Sequence, residues 1–312
     1  MLRAVGNAFV GDGELTERQG AVLLAGSGAV FSVTAIAFAG VERATDFQFL
    51  AYRGGSTALA MVLLVLARRS GRRVDFGGVT ATTWMAGVVL AGTSMLYILA
   101  LSRTTAATTL FLLAAAPIFA AVFGWLLLRE RVDRSTLVAI GVTLVGVTIT
   151  VGAGLEVGSV GGLLFAGLIP ISIGSYSVLT RMNPGVDPVV PTLISGTVLG
   201  VGATVAAIIV DGGVSVPARD VALACVSGGF ALGVGLPMFN LGHRSVSAAR
   251  VPLLLMTEVV LGPLWVWIWP GQTPGPATLL GGIVIMGAVV WLVTRADPET
   301  ADTSIAEINP AV

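Results

Sequence analysis

Lysine is absent from this 312-residue sequence, and all seventeen basic residues are arginine. Cysteine and histidine each occur once, at Cys225 and His243. A single cysteine forms no intrachain disulfide, and the two residues together supply too few ligands for a zinc site. Cys225 lies in an apolar run and reads as a buried, inert thiol. Charge is scarce too: charged residues make up 11% of the chain, against about 25% in a soluble protein. The net charge of zero offers no footprint for a nucleic acid. No Walker loop, HExxH pair, catalytic triad or Gly-rich dinucleotide fingerprint occurs, so ATP drive and hydrolysis find no support. The expectation is a protein that is not an enzyme and that uses no cofactor and no metal.

What the chain does contain is apolar sequence. Hydrophobic residues make up 55% and the mean hydropathy is +0.94. Such a chain cannot cover its surface with polar groups, so lipid is its solvent. Ten runs approach the 20 or so residues that cross a bilayer: 20–40, 46–67, 80–101, 105–128, 134–152, 159–180, 188–210, 218–241, 246–269 and 274–294. Charges and turn residues fill the short breaks, as in "RRSGRRVD", "RERVDR" and "NPGVDP". "AFAG" at 37–40 looks like a signal-peptidase site, but the apolar segment before it exceeds the 7–15 residues of a signal core. The run therefore reads as a retained span. With the N-terminus inside, twelve arginines fall on cytoplasmic segments and three on outer ones, while Arg53 and Arg250 fall within spans. This positive-inside bias predicts a multi-pass inner-membrane protein with both termini cytoplasmic. Residues 1–19 form an N-terminal arm, and the polar tail 295–312 reads as disordered.

Displaced by 141 residues, the two halves share a pattern. "LSRTTAATTLFLL" meets "GHRSVSAARVPLL", Arg103 falls on Arg244, and Gly141 and Gly146 fall on Gly282 and Gly287. Each half, 20–152 and 159–294, holds five spans. Five is odd, so the second copy enters the membrane from the other side. The predicted fold is an all-α membrane protein of ten helices in two inverted five-helix repeats, an arrangement found in secondary transporters.

The segment "ALSRTTAATTLFLLAAAPIFAAVFGWLLLRERVDRSTLVAIGVTLVGVTI" (100–149) resembles the end of an EamA-type repeat of the drug/metabolite transporter superfamily. Pro117, Glu130, Gly141 and Gly146 match that family's mid-helix Pro, closing Glu and Gly-rich last helix. The second copy, 245–291, is similar, but Val259 follows Glu258 where the family often has Pro, and Gly271 replaces the closing Glu. The resemblance implies a ten-helix metabolite transporter, with export of amino acids or related compounds as its first expectation. It also carries the family's frequent second-span Arg to Arg53.

Glu258 is the most conspicuous candidate. It lies 12 or so residues into its span, about 18 Å deep at 1.5 Å per residue, and falls on Pro117 under the displacement. An ionisable group at that depth marks a polar crevice or a specific partner. It could contact substrate, carry a proton or tie two helices together. Arg250 is one turn into the same span and can snorkel to the headgroups, or reach substrate. Arg53, beside Gly54 and Gly55, can reach a cavity or cap a neighbouring helix. Thr93 with Tyr97, and Ser172 with Tyr176, share helix faces at i, i+4. Met238 and Asn240 close the eighth span. These are the polar and aromatic groups that a small amphipathic substrate needs, though buried Tyr and Asn also serve as interhelical hydrogen-bond partners. The expected partners are a small-molecule substrate and the lipid bilayer, with protons as a candidate coupling ion. Proton-coupled efflux of organic cations through Glu258 is the rival mechanism, and a membrane receptor or membrane enzyme the rival class.

Reporter fusions after Arg69 and after Arg131 should read cytoplasmic, and a fusion near Glu156 should read external. An external reading at Arg131 would change the number of spans in the first half and end the inverted-repeat reading.

Overall fold

The computed structural model describes residues 15–67, 78–104, 109, 112–130, 132–151, 159–183, 186–187, 189–247, 249–268 and 276–295. Most of the N-terminal arm and of the C-terminal tail lies outside them, as does Gly271. Every regular element among the described residues is helical. In a lipid solvent this follows from the backbone, because helices satisfy their own N–H and C=O groups. Six helices are long and apolar enough to cross a membrane: Glu17–Ala39, Asp46–Leu66, Ala81–Leu101, Val160–Arg181, Val189–Val210 and Ala218–Gly242. Shorter apolar helices accompany them. Leu59, Leu63 and Leu66 on one helix, and Trp125, Leu126 and Leu127 on another, are exposed, as expected of lipid-facing surfaces.

In chain order the helices are α1 (Glu17–Phe31), α2 (Val33–Ala39), α3 (Asp46–Ala67), α4 (Ala81–Leu101), α5 (Ala116–Leu128), α6 (Arg134–Val151), α7 (Val160–Arg181) and α8 (Val189–Val210). Then come α9 (Ala218–Cys225), a π-helical stretch Val226–Leu232, α10 (Gly233–Gly242), α11 (Arg250–Leu254), α12 (Thr257–Ile268) and α13 (Pro276–Arg295). Local chemistry sets several starts. Thr16 and Gln19 form a reciprocal capping box at α1, and Ser159 Oγ accepts the Gly162 N–H at α7 (3.1 Å). The Asp133 carboxylate accepts the Thr136 N–H at α6 (2.7 Å).

Two spans that read as continuous in the sequence, 105–128 and 246–269, are broken. Turns at Ala114–Ala115 and at Leu255–Met256 precede α5 and α12. Both breaks share two bonds, and the second adds one from Glu258 N–H to Leu255 C=O (2.9 Å) that Pro117 cannot make. Ala115 N–H donates to Leu112 C=O (3.1 Å), and Ile118 N–H to Ala115 C=O (3.0 Å). The displaced equivalents, Met256 to Leu253 (3.1 Å) and Val259 to Met256 (3.0 Å), match them. These are 3₁₀ steps, which tighten the chain by shifting bonds from i−4 to i−3. Pro117 at the head of α5 removes a donor that a helix start leaves unused anyway. The eighth span is also irregular, with its π stretch a few residues ahead of Pro237. Proline lacks the N–H that a helix interior needs.

Helix limits repeat as well. Displaced by 141, α3 falls at 187–208 over α8, α4 at 222–242 over the end of α9–α10, α5 at 257–269 over α12, and α6 at 275–292 over α13. The packing interleaves the two sets. α3 packs along α8, and α6 along α13. α4 lies on α7 and α8, just as α10 lies on α1 and the π stretch lies on α3. α3 and α8 meet backbone to backbone. A Cβ on Gly54 would fall 2.7 Å from Gly200 Cα, and one on Gly196 would fall 2.7 Å from the Ala58 nitrogen. Gly228 is pressed against the Arg53 carbonyl in the same way. Close backbone approach of this kind is how helices gain dispersion energy without a hydrophobic drive between them.

Gly54→Ala should therefore destabilise the protein by roughly 1–3 kcal/mol through overpacking, whereas Gly55→Ala, with nothing within 4 Å of its new Cβ, should be neutral or stabilising. Thermal unfolding of both variants in detergent checks this. Equal melting temperatures would contradict the glycine contact.

Candidate functional site

A cavity of about 120 Å³ occupies the centre of the bundle. An engineered cavity of about 150 Å³ in another protein holds benzene, so the space suits a small organic group. α4 contributes Leu90, Thr93, Ser94 and Tyr97. The two broken spans contribute Leu113 and Ala116, and Pro252, Leu255, Met256 and Glu258, so each helix break faces the cavity. α7 contributes Ile169, Ile173 and Tyr176, at helical spacing. Arg53, the candidate from the second span, lines it as well, together with Thr34 and Ser195, which the sequence did not single out.

Glu258 lies in the first turn of α12. Its own N–H donates back across the break to Leu255 C=O (2.9 Å), and those of Val259 and Val260 donate to Met256 C=O (3.0 and 3.3 Å). The Tyr97 side chain is in hydrogen-bonding reach of the Glu258 carboxyl, and the Arg53 guanidinium acts on both through its charge. Arg53 is 4% exposed, and its Nη1 donates to Ser227 Oγ (2.5 Å). Five of the nine residues singled out in the sequence thus line one cavity: Arg53, Thr93, Tyr97, Tyr176 and Glu258.

The other four lie off it. Asn240 stands behind Tyr176: it accepts the tyrosine hydroxyl and donates to Thr192 Oγ (3.2 Å). The Tyr176 ring stacks on Phe239 at 5.6 Å, and Phe239 meets His243 at 4.1 Å. Met238 packs with Leu15, Leu23 and Leu241 on the α1 side. Its neighbour Phe239 takes the cavity face with Leu232 and Leu236. Ser172 lies beside the Ile169–Ile173–Tyr176 face and does not line the cavity.

Arg250 is in a separate, more polar pocket of about 230 Å³, with Glu17, Glu130, Asp133, Thr136 and Ser247. It pairs with Glu17 and Asp133 and donates to Thr136 Oγ (3.1 Å). Snorkelling is thus replaced by ion pairing, because two carboxylates from neighbouring elements stand within its reach. Partial burial opposes ionisation of Asp133, but bonds from Thr136 and Ser135 and the charge of Arg250 outweigh it. They hold the carboxyl down at about 2. Nearby, Arg181 pairs with Glu130 at 2.6 Å.

The opposite end is tied by backbone. The Glu42, Arg43 and Ala44 N–H groups all donate to the Asp220 carboxylate, at 3.2, 2.9 and 2.8 Å. Gln48 donates to Gly213 C=O (2.9 Å), Tyr52 to Val214 C=O (2.8 Å), and Arg103 pairs with Asp46 at 2.7 Å. The polar links thus gather at the two ends of the bundle, with the apolar-walled cavity between them.

No sequence signal singled out Ser94, Ser195 or Ser227, since small hydroxyls are common in apolar spans. Asp220 was detectable as a carboxylate at the head of a span.

Comparison with known proteins fits this architecture. No curated protein matches the chain. A solved structure described only as "Crystal structure of protein" is similar in fold, with a TM-score of 0.74 at 21% identity over 89% of this chain and 99% of that one. Residues 18–152 match the EamA-like transporter family, and that stretch coincides with the first set of helices, α1 to α6. Over that stretch, somewhat under half of the chain, the sequence is similar to the EamA-like transporter family, and the chain's six long apolar helices fit a multi-pass membrane protein.

Proposed function

We propose that the chain is a secondary transporter built from two inverted five-helix repeats. In this reading it moves a small organic metabolite across the inner membrane by alternating access. Both termini are cytoplasmic, and the direction is export. The observation that carries the reading is the pair of similar 3₁₀ breaks before α5 and α12, both facing one central cavity. Discontinuous helices around a midplane site, one from each half, are the building plan of such carriers.

Alternating access needs two closures that exchange. The Arg250–Glu17–Asp133 cluster with Arg181–Glu130 ties one end, and the Asp220 clasp ties the other. Opening the arginine cluster exchanges partly exposed ion pairs for water, a modest cost, whereas opening the other end gives up three charge-assisted bonds to the buried Asp220 carboxylate. The central cavity is mostly apolar, with one cation and one anion, which suits an amino acid or a related compound. The placement of Glu258 beside the cavity also supports a second reading, in which it exchanges protons for an organic cation.

Flux into liposomes, with and without a pH gradient, separates the two. Glu258→Gln keeps the shape but removes the charge. If Glu258 binds a cation or carries protons, flux or its pH dependence should be lost with expression intact. Tyr97→Ala and Tyr176→Ala should each weaken substrate binding about tenfold or more, the scale of losing a buried ring. Normal, pH-dependent flux in the Gln variant, with normal binding in both Tyr variants, would place the site elsewhere.

A further inference from the structure

The cavity has a feature that the transporter reading does not use. Arg53 and Ser94 both line it, at 4% and 8% exposure. Arg53 Nη1 is taken by Ser227, yet Arg53 Nε and Ser94 Oγ have no partner among the described residues. Buried donors left unpaired are costly and uncommon, and two at one cavity mark the place of a missing acceptor. A guanidinium offers its N–H groups as a fixed fork, and that fork fits the two oxygens of a carboxylate.

Other groups narrow the class further. Ser94 is one turn before Tyr97 on α4, on the same face, and Tyr97 lies within the fields of both Arg53 and Glu258. Arg53 and Glu258 carry opposite charges when both are ionised, and each lies within the other's field. A ligand with only a carboxylate would bring a second anion to one guanidinium. A ligand with only an amine would bring a second cation to one carboxylate. A zwitterion keeps every charge opposed. The remaining wall, with Leu90, Leu113, Ile173, Leu232 and Leu236, is aliphatic.

We propose that Arg53 and Ser94 form a carboxylate subsite, with Ser227 as a positioning residue that aims the guanidinium, so that the cavity takes a zwitterion with a small apolar body. The proposal rests on the transporter reading only for the view that the cavity is the substrate site.

Binding of three probes to the purified full chain in detergent tests it: L-leucine, 3-methylbutylamine, which lacks the carboxylate, and 4-methylpentanoate, which lacks the amine. L-leucine should bind at least about tenfold tighter than the amine, as expected for a charge-assisted bond. Ser94→Ala and Ser227→Ala should each weaken L-leucine and 4-methylpentanoate several-fold while leaving the amine unchanged. Arg53→Lys, which keeps the charge and loses the fork, should do the same. Equal affinity for L-leucine and the amine would overturn the proposal. So would a uniform loss across all probes in the serine variants, or no binding of any probe. Liposome flux separates this from the transporter reading: carboxylate-selective binding without flux would sink transport and leave the subsite. Flux of a solute without that selectivity would do the reverse.

Discussion

The backbone contact between α3 and α8 sets the geometry of everything at the centre. Gly54, Gly196 and Gly200 let the two helices meet without side chains between them. Arg53 is next to that contact in sequence, and Gly228 of the π stretch closes on its carbonyl. The guanidinium is therefore held between helices from both halves, within reach of Ser227. A charge at this depth is tolerated only where a polar crevice or an opposite charge receives it. Glu258, on the wall of the same cavity, is the carboxyl whose charge acts on it.

The helix breaks answer a second requirement. An unbroken span would carry its backbone dipoles to the membrane surfaces and offer nothing at the midplane. Starting α12 at Thr257 places Glu258 in its first turn, at the cavity wall. The equivalent start of α5 has Pro117 and no charge. One pattern of bonds thus serves two different chemistries, polar in one half and apolar in the other.

Much of this was legible in the sequence. Apolar run length placed the long helices to within a few residues. Glu258, Tyr97 and Arg53 stood out because a charge or a phenol in an apolar span needs a reason. The breaks were not legible, since 3₁₀ steps at Ala115 and Met256 depend on packing rather than on a breaking residue at those positions. Arg250 was misjudged because its partners, Glu17 and Asp133, are distant in sequence. Helical period put Ser172 and Met238 near the site, but a period fixes a face only to within a quarter turn, and the π stretch shifts the register before α10.

Accessibility of the cavity from both sides tests the account most directly. A single cysteine at Thr93 in a Cys225→Ser background can be exposed to a membrane-impermeant thiol reagent from either face of oriented vesicles. Alternating access predicts labelling from each face, with substrate slowing both reactions. Labelling from one face alone, unchanged by any substrate, would contradict a carrier that rocks about this cavity.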